Sequence, residues 1–155
     1  MIQRIQSLYL LLTSLLSILF LNGSFLKFFN NSGSEIFMNI RGIWQSGGEG
    51  AVSQIGNQIP LLVIIVLIAV ISFAAIFFYR KRRLQLKMAI AIIFLAVVSI
   101  GLILFYVFLI TSNHNAVLVP GIKMFLPLAI LAFGILAYRG IKKDENLVKS
   151  YDRLR

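Results

Sequence analysis

IPLLVIIVLIAVISFAAIFFY, residues 59–79, is a run of 21 residues without a single charged side chain. Farther along, residues 88–110 read MAIAIIFLAVVSIGLILFYVFLI, which are 23 more uncharged residues. A hydrocarbon core of about 30 Å is crossed by about 20 helical residues at 1.5 Å each. Both segments are therefore predicted to be membrane-spanning helices, because strands rarely exceed about 8 residues.

The stretch between these two segments is strongly basic. Residues 79–87 read YRKRRLQLK and contain five basic and no acidic side chains. A nucleic-acid interface would need a broad basic face with aromatic or polar residues that read bases. Only residues 80–87 separate the two predicted helices, so the pattern favours a topology signal that also attracts anionic lipid headgroups. No nucleic-acid partner is predicted. The residues predicted to set the topology and to contact anionic lipid headgroups are Arg80, Lys81, Arg82, Arg83 and Lys87.

The composition of the whole chain agrees with a membrane protein. Its 155 residues are 59% hydrophobic and 13% charged, and the mean hydropathy is +0.93. Soluble domains carry about 25% charged residues, so this chain has too few to cover a surface that faces water. The chain contains no cysteine, which excludes disulfides, thiolate metal ligands and redox chemistry based on paired thiols.

Two further spans are predicted toward the ends of the chain. Residues 5–26 begin with IQSLYLLLTSLLSILFL and continue less cleanly through NGSFL. A cleaved signal peptide is the alternative, but no small-x-small cleavage site follows. Residues 119–138 form the last span, with Pro120 in its first turn and Pro127 at a kink. The predicted fold is a single all-α membrane domain, a four-helix transmembrane bundle with spans at about 5–26, 59–79, 88–110 and 119–138.

The distribution of basic residues predicts the orientation in the membrane. Twelve of the 15 Lys and Arg residues lie on the side that holds the N-terminus, the loop 80–87 and the tail 139–155. The other three lie on the opposite side. The positive-inside rule then places both termini in the cytoplasm.

Residues 27–58 form the long loop on the predicted outer side. Ile36, Met38 and Ile40 recur with the two-residue period of a strand. The GGEG sequence at 47–50 can supply a turn, and AVSQIG at 51–56 offers a second strand. The prediction is a short β-hairpin, with a mobile loop as the alternative.

The predicted spans lack the groups that intramembrane chemistry requires. All five acidic residues and His114 lie outside them, and ionisable groups inside a bilayer usually mark a site. A lone loop histidine is more often solvated than a metal ligand, and neither a Gly-rich phosphate loop nor a nucleophile–base pair occurs. We therefore predict no catalytic residue, no cofactor, no metal site and no enzymatic activity.

Small and polar residues form a stripe on each predicted span, such as Ser14 and Ser17 on the first or Ser72 and Ala75 on the second. Stripes of this kind let helices approach closely in lipid. Packing of the bundle is the expected role. A groove for a lipid or another ligand is the alternative.

The tail has the pattern of an amphipathic helix. Leu147, Tyr151 and Leu154 recur at i, i+4 and i+7. The tail is predicted to be either a solvated extension of the last span or a helix that docks on the membrane surface or on a partner. These three residues are the candidate partner-docking residues.

The two ends of the chain, MIQRIQSLYLLL at 1–12 and DENLVKSYDRLR at 144–155, resemble the termini of a family of small bacterial membrane proteins. The family is catalogued as domain of unknown function 4293 and is typical of Bacteroidota. Its four-span layout is also similar, so the resemblance covers the whole chain. It implies an inner-membrane protein with four helices and brings no activity, substrate or catalytic residue.

Taken together, these patterns favour a non-catalytic protein of the bacterial inner membrane. The expected role is that of an accessory or assembly subunit, whose partner is another membrane protein of unknown identity. The alternative is a small transporter or lipid-handling carrier that uses a groove between helices. A polar cavity lined by the spans would favour that alternative.

Overall fold

The computed structural model of the protein describes residues 3–30, 35–39, 42–46, 52–79, 81–114 and 116–153. Within these ranges it contains four α-helices: α1 (Gln3–Leu21), α2 (Ile59–Phe77), α3 (Arg82–His114) and α4 (Leu126–Arg153). A 3-10 helix (Ile122–Phe125) precedes α4. The same ranges contain five strands: β1 (Ser24–Asn30), β2 (Glu35–Asn39), β3 (Gly42–Ser46), β4 (Val52–Gly56) and β5 (Ala116–Val119).

The four helices pack in a ring. α1 and α3 each pack against both α2 and α4. Apolar side chains from all four helices, among them Leu10, Ile65, Ile92 and Ile130, are fully buried. The ring therefore encloses a continuous apolar core.

The small and polar residues of the predicted stripes mostly lie inside this ring. Ser17 and Ser72 are fully buried, as expected for packing residues. Their hydroxyl groups donate to backbone carbonyls of their own helices, at 2.8 and 3.1 Å, and Ser14 Oγ donates across to the carbonyl of Ala69 at 3.3 Å. The buried hydroxyl groups thus have partners, which removes most of the cost of burying them.

Three of the helical stretches are long and apolar enough to cross a membrane: Ile59–Phe77, Arg82–Asn113 and Ile122–Leu147. They contain most of the predicted spans at 59–79, 88–110 and 119–138. In α1 the apolar stretch is shorter and covers Ile5–Leu21.

The prediction that the first span reaches residue 26 is wrong. α1 ends at Leu21, where the backbone N–H of Asn22 donates to the carbonyl of Leu19 at 3.3 Å. Gly23 follows with φ 71°, a left-handed conformation that stops a helix and that glycine adopts at little cost. The apolar residues beyond it then continue as strand β1.

The strands form one antiparallel sheet in the order β4–β3–β2–β1–β5. On its buried face, Leu26 lies opposite Met38, and Phe28 lies opposite Ile36. β5 lies in the connection between α3 and α4 and pairs with β1, which lies in the connection between α1 and α2. The sheet therefore joins both connections at one end of the helices. Among the described residues, β2 does not pair with β4, so the predicted hairpin between these two strands is wrong.

Instead, β2 pairs with β3, and β3 pairs with β4. The predicted turn at residues 47–50 lies outside the described residues. Strand β3, GIWQS, separates the two segments that the sequence pattern had paired. It was missed because only Ile43 and Trp44 in it are strongly apolar.

The boundaries of α3 and α4 also differ from the predicted spans. α3 begins at Arg82 and not at residue 88, because Arg, Leu, Gln and Lys are all good helix formers. Pro120 precedes the 3-10 helix, and Pro127 lies in the first turn of α4, where proline is tolerated without a kink. From there α4 runs through the predicted tail to Arg153 as one helix.

Candidate functional site

Four of the five basic residues of the predicted topology signal lie at the end of the ring opposite the sheet. Lys81, Arg83 and Lys87 are exposed. Arg82 differs from them, because it is half-buried and its Nη1 donates to the backbone carbonyl of Asp144 on α4 at 3.2 Å. Arg80 lies outside the described residues.

The turn between α2 and α3 is held by Gln85, which is only 2% exposed. Its Nε2 donates to the carbonyl of Ala75 at 3.1 Å. That carbonyl is one of the last four of α2, which have no partner within their own helix. Gln85 therefore caps the end of α2 and joins it to the start of α3.

A buried polar contact joins α1 to α4 at the same end. Gln6 Nε2 donates a hydrogen bond of 2.5 Å to Asp144 Oδ2, and both side chains are almost fully buried. A buried carboxylate is costly unless it is hydrogen-bonded. The amide of Gln6 supplies that partner, so the contact fixes the position of the α4 tail against the first helix.

Gly140 makes this contact possible. A Cβ atom at this position would lie 2.8 Å from Cγ of Gln6, closer than real Cβ contacts. The missing side chain lets α1 and α4 approach until Gln6 reaches Asp144. Close approach at a small residue is a common feature of helix pairs in membranes.

The outward face of α4 carries an open groove of about 570 Å³. Its lining combines three exposed cations with polar and apolar groups: Tyr138, Arg139, Lys142, Lys143, Asn146 and Leu147. Lys142 Nζ lies 5.7 Å from the centroid of the Tyr138 ring, within range of a cation–π interaction. We call these six residues the α4 basic groove.

The predicted docking residues lie at or beyond this groove. Leu147 lines it and is 43% exposed. Tyr151 lies on the same helix, one turn farther on. Leu154 lies outside the described residues.

A family model described as a domain of unknown function, DUF4293, matches residues 2–154. The chain belongs to the DUF4293 family. The match covers the N-terminal and C-terminal sequences on which the resemblance is based, except for the first and last residues of the chain, and the predicted family is confirmed. A comparison with curated proteins found no match.

In this DUF4293 chain, sequence reasoning missed Gln6, Gln85 and Asp144. The sequence does contain a pattern that could have predicted the burial of Asp144. Ala137, Ile141 and Asp144 follow one another at spacings of four and three residues, and all three are buried. This is the spacing of one helix face. Asp144 had been placed outside the spans, yet it lies inside the apolar stretch Ile122–Leu147.

The arrangement can hold helices together and can present charge. Among the described residues, no three His, Asp or Glu side chains lie close enough to hold a metal ion. The exposed cations and the α4 basic groove are the features at the basic end of this DUF4293 protein that can bind another molecule.

Proposed function

We propose that the protein spans the bacterial inner membrane with all four helices. Three of them are long and apolar enough to do so, and α1 packs against two of these. The apolar residues Ile5–Leu21 of α1 reach the lower limit of about 17 residues for a span. Large apolar side chains such as Phe94 and Phe108 are mostly exposed, an arrangement that suits lipid better than water.

The proposed orientation places both termini in the cytoplasm. The exposed cations Lys81, Arg83 and Lys87 lie at the same end of the ring as the α4 basic groove. Cytoplasmic ends of membrane proteins carry an excess of Lys and Arg. The sheet then lies on the outer side.

Within the membrane, the proposed role is that of a non-catalytic accessory or assembly subunit. The observation that carries this proposal is the continuation of α4. At 1.5 Å per residue the helix extends about 13 Å beyond Asp144, to Arg153. A helix that is fixed to the bundle by Gln6 and Asp144 loses little further entropy on binding, and preorganisation of this kind favours association.

The chemistry of the α4 basic groove indicates the kind of partner. Arg139, Lys142 and Lys143 would attract acidic side chains, and Leu147 offers an apolar anchor beside them. An amphipathic cytoplasmic segment of a membrane protein, with acidic residues next to an apolar one, would complement this surface. Attachment of both partners to one membrane raises their effective concentration, so a small contact area is sufficient.

The test is purification in mild detergent from the native membrane, followed by mass spectrometry of proteins that co-purify in fixed ratio. Leu147→Ser combined with Lys143→Glu should release a specific partner. Val117→Ser is a matched control, because Val117 is a more exposed apolar residue on β5, at the opposite end of the molecule. Retention of every partner by the groove variant would exclude the α4 basic groove as the docking surface.

The alternative role, a small transporter or lipid-handling carrier, predicts a groove between helices. A shallow open groove does lie between α2 and α3, and its lining residues are apolar except for Lys87. Transfer of a fluorescent phospholipid between vesicles by the purified protein would support the carrier role. If no transfer occurs, the accessory role is favoured.

A further inference from the structure

A second groove lies on the exposed surface of the helix bundle, where α2 packs against α3. It is shallow and open, and it has a volume of about 390 Å³. Five of its six lining residues are apolar and the sixth is a lysine: Ile71, Phe78, Leu84, Lys87, Met88 and Ala91. We call it the α2–α3 groove.

The α2–α3 groove runs along the helices. Phe78 and Leu84 lie near the turn between α2 and α3. Ile71 and Ala91 lie seven residues farther into each helix, which is about 10 Å at 1.5 Å per residue. The groove therefore leads from the basic end of the molecule into its apolar middle.

Charge is concentrated where the α2–α3 groove meets the basic end. Lys87 lines the groove and is exposed, and Lys81 and Arg83 are exposed on the same short segment. None of the lining residues is acidic. An occupant with an apolar chain and a negatively charged head would match both parts.

We propose that the α2–α3 groove binds one anionic phospholipid, with an acyl chain between α2 and α3 and the phosphate beside Lys87. The inference rests on the membrane placement proposed above, since it is the bilayer that brings acyl chains to this surface. Basic pockets between spanning helices on the cytoplasmic side are a recurrent form of anionic-lipid site. The bound chain would also brace two helices that are otherwise joined by a very short turn.

Native mass spectrometry of the detergent-purified full chain tests the proposal. Dioleoyl phosphatidylglycerol and dioleoyl phosphatidylcholine are titrated separately, since they share acyl chains and differ in charge. Wild type should bind the anionic lipid more tightly. Lys87→Gln should weaken that binding about fivefold, the effect expected for one cation at an anionic headgroup, and Ala91→Phe should fill the groove and abolish the preference.

Two controls match these variants. Lys27→Gln removes one exposed charge from β1, at the opposite end of the molecule, and Ala132→Phe adds the same ring at an exposed position of α4. Both variants should bind lipid as wild type does. Equal binding of the two lipids by wild type, competition by inorganic phosphate alone, or a dimer that disappears in Ala91→Phe would each overturn the proposal. A failed membrane placement is recognised separately, because alkaline carbonate would then extract wild type and every variant from membranes.

Discussion

Asp144→Ala should destabilise the folded protein more than alanine substitution of any exposed residue at the basic end. Asp144 and Gln6 are almost fully buried and share a hydrogen bond of 2.5 Å. A hydrogen bond to a charged group contributes about 1.5–3 kcal/mol, and its loss leaves the Gln6 amide buried without that acceptor. We therefore expect a loss of about 2–3 kcal/mol in the free energy of unfolding, and a smaller loss for Asp144→Asn, which keeps an acceptor oxygen.

Titration with SDS in mixed micelles, followed by far-ultraviolet circular dichroism, measures this free energy. The neighbouring Lys143→Ala is the control, because Lys143 is exposed and surface changes usually stay within about 0.5 kcal/mol. A double-mutant cycle of Gln6→Ala with Asp144→Ala should give a coupling energy of about 1.5–3 kcal/mol. If Asp144→Ala is as stable as Lys143→Ala, or the coupling is zero, the contact does not hold the tail.

Three further predictions concern other positions. Gly140→Ala should separate α1 from α4 and lower the free energy of unfolding, because its Cβ would lie 2.8 Å from Cγ of Gln6. Gly101→Ala is the control: its Cβ would meet nothing within 4 Å, so it should be neutral or slightly stabilising in the same titration. Gln58→Met should stabilise the protein by about 1–3 kcal/mol, since the buried Gln58 amide has no hydrogen-bond partner within the described residues. Destabilisation in the same titration would contradict this prediction. Purified wild type should not bind DNA or RNA in a gel-shift assay, and binding with a steep salt dependence would contradict the topology interpretation of the basic segment.

Hydropathy predicted the positions of the long helices well, because a run of about 20 apolar residues has few other uses. The ends of the helices were harder to predict. Phe25, Leu26 and Phe28 are as apolar as the helix before them, so composition could not separate β1 from α1. The turn at Asn22 and Gly23 was visible in the sequence, but its effect was underestimated.

The sheet and the buried polar contact depend on residues that are far apart in the chain. β5 pairs with β1 across about 90 residues, and no local pattern specifies such a pairing. Asp144 looked like a solvated tail residue because the apolar run ends near Tyr138. The burial of Asp144 could be predicted only from two further facts. The helix α4 continues beyond Tyr138, and the face that carries Ala137 and Ile141 packs against α1.

The central claim is that four helices cross the membrane with both termini on the basic side, and accessibility of single cysteines tests it most directly. The native chain has no cysteine, so each introduced thiol reports alone. In cells stripped of their outer membrane, an impermeant thiol reagent should label cysteines at Ser46 and Asn113. It should not label cysteines at Gln3, Lys81 and Ser150 until the membrane is permeabilised. Labelling at Gln3 with protection at Lys81 would mean that α1 does not cross the membrane, and labelling at Lys81 with protection at Ser46 would invert the whole topology.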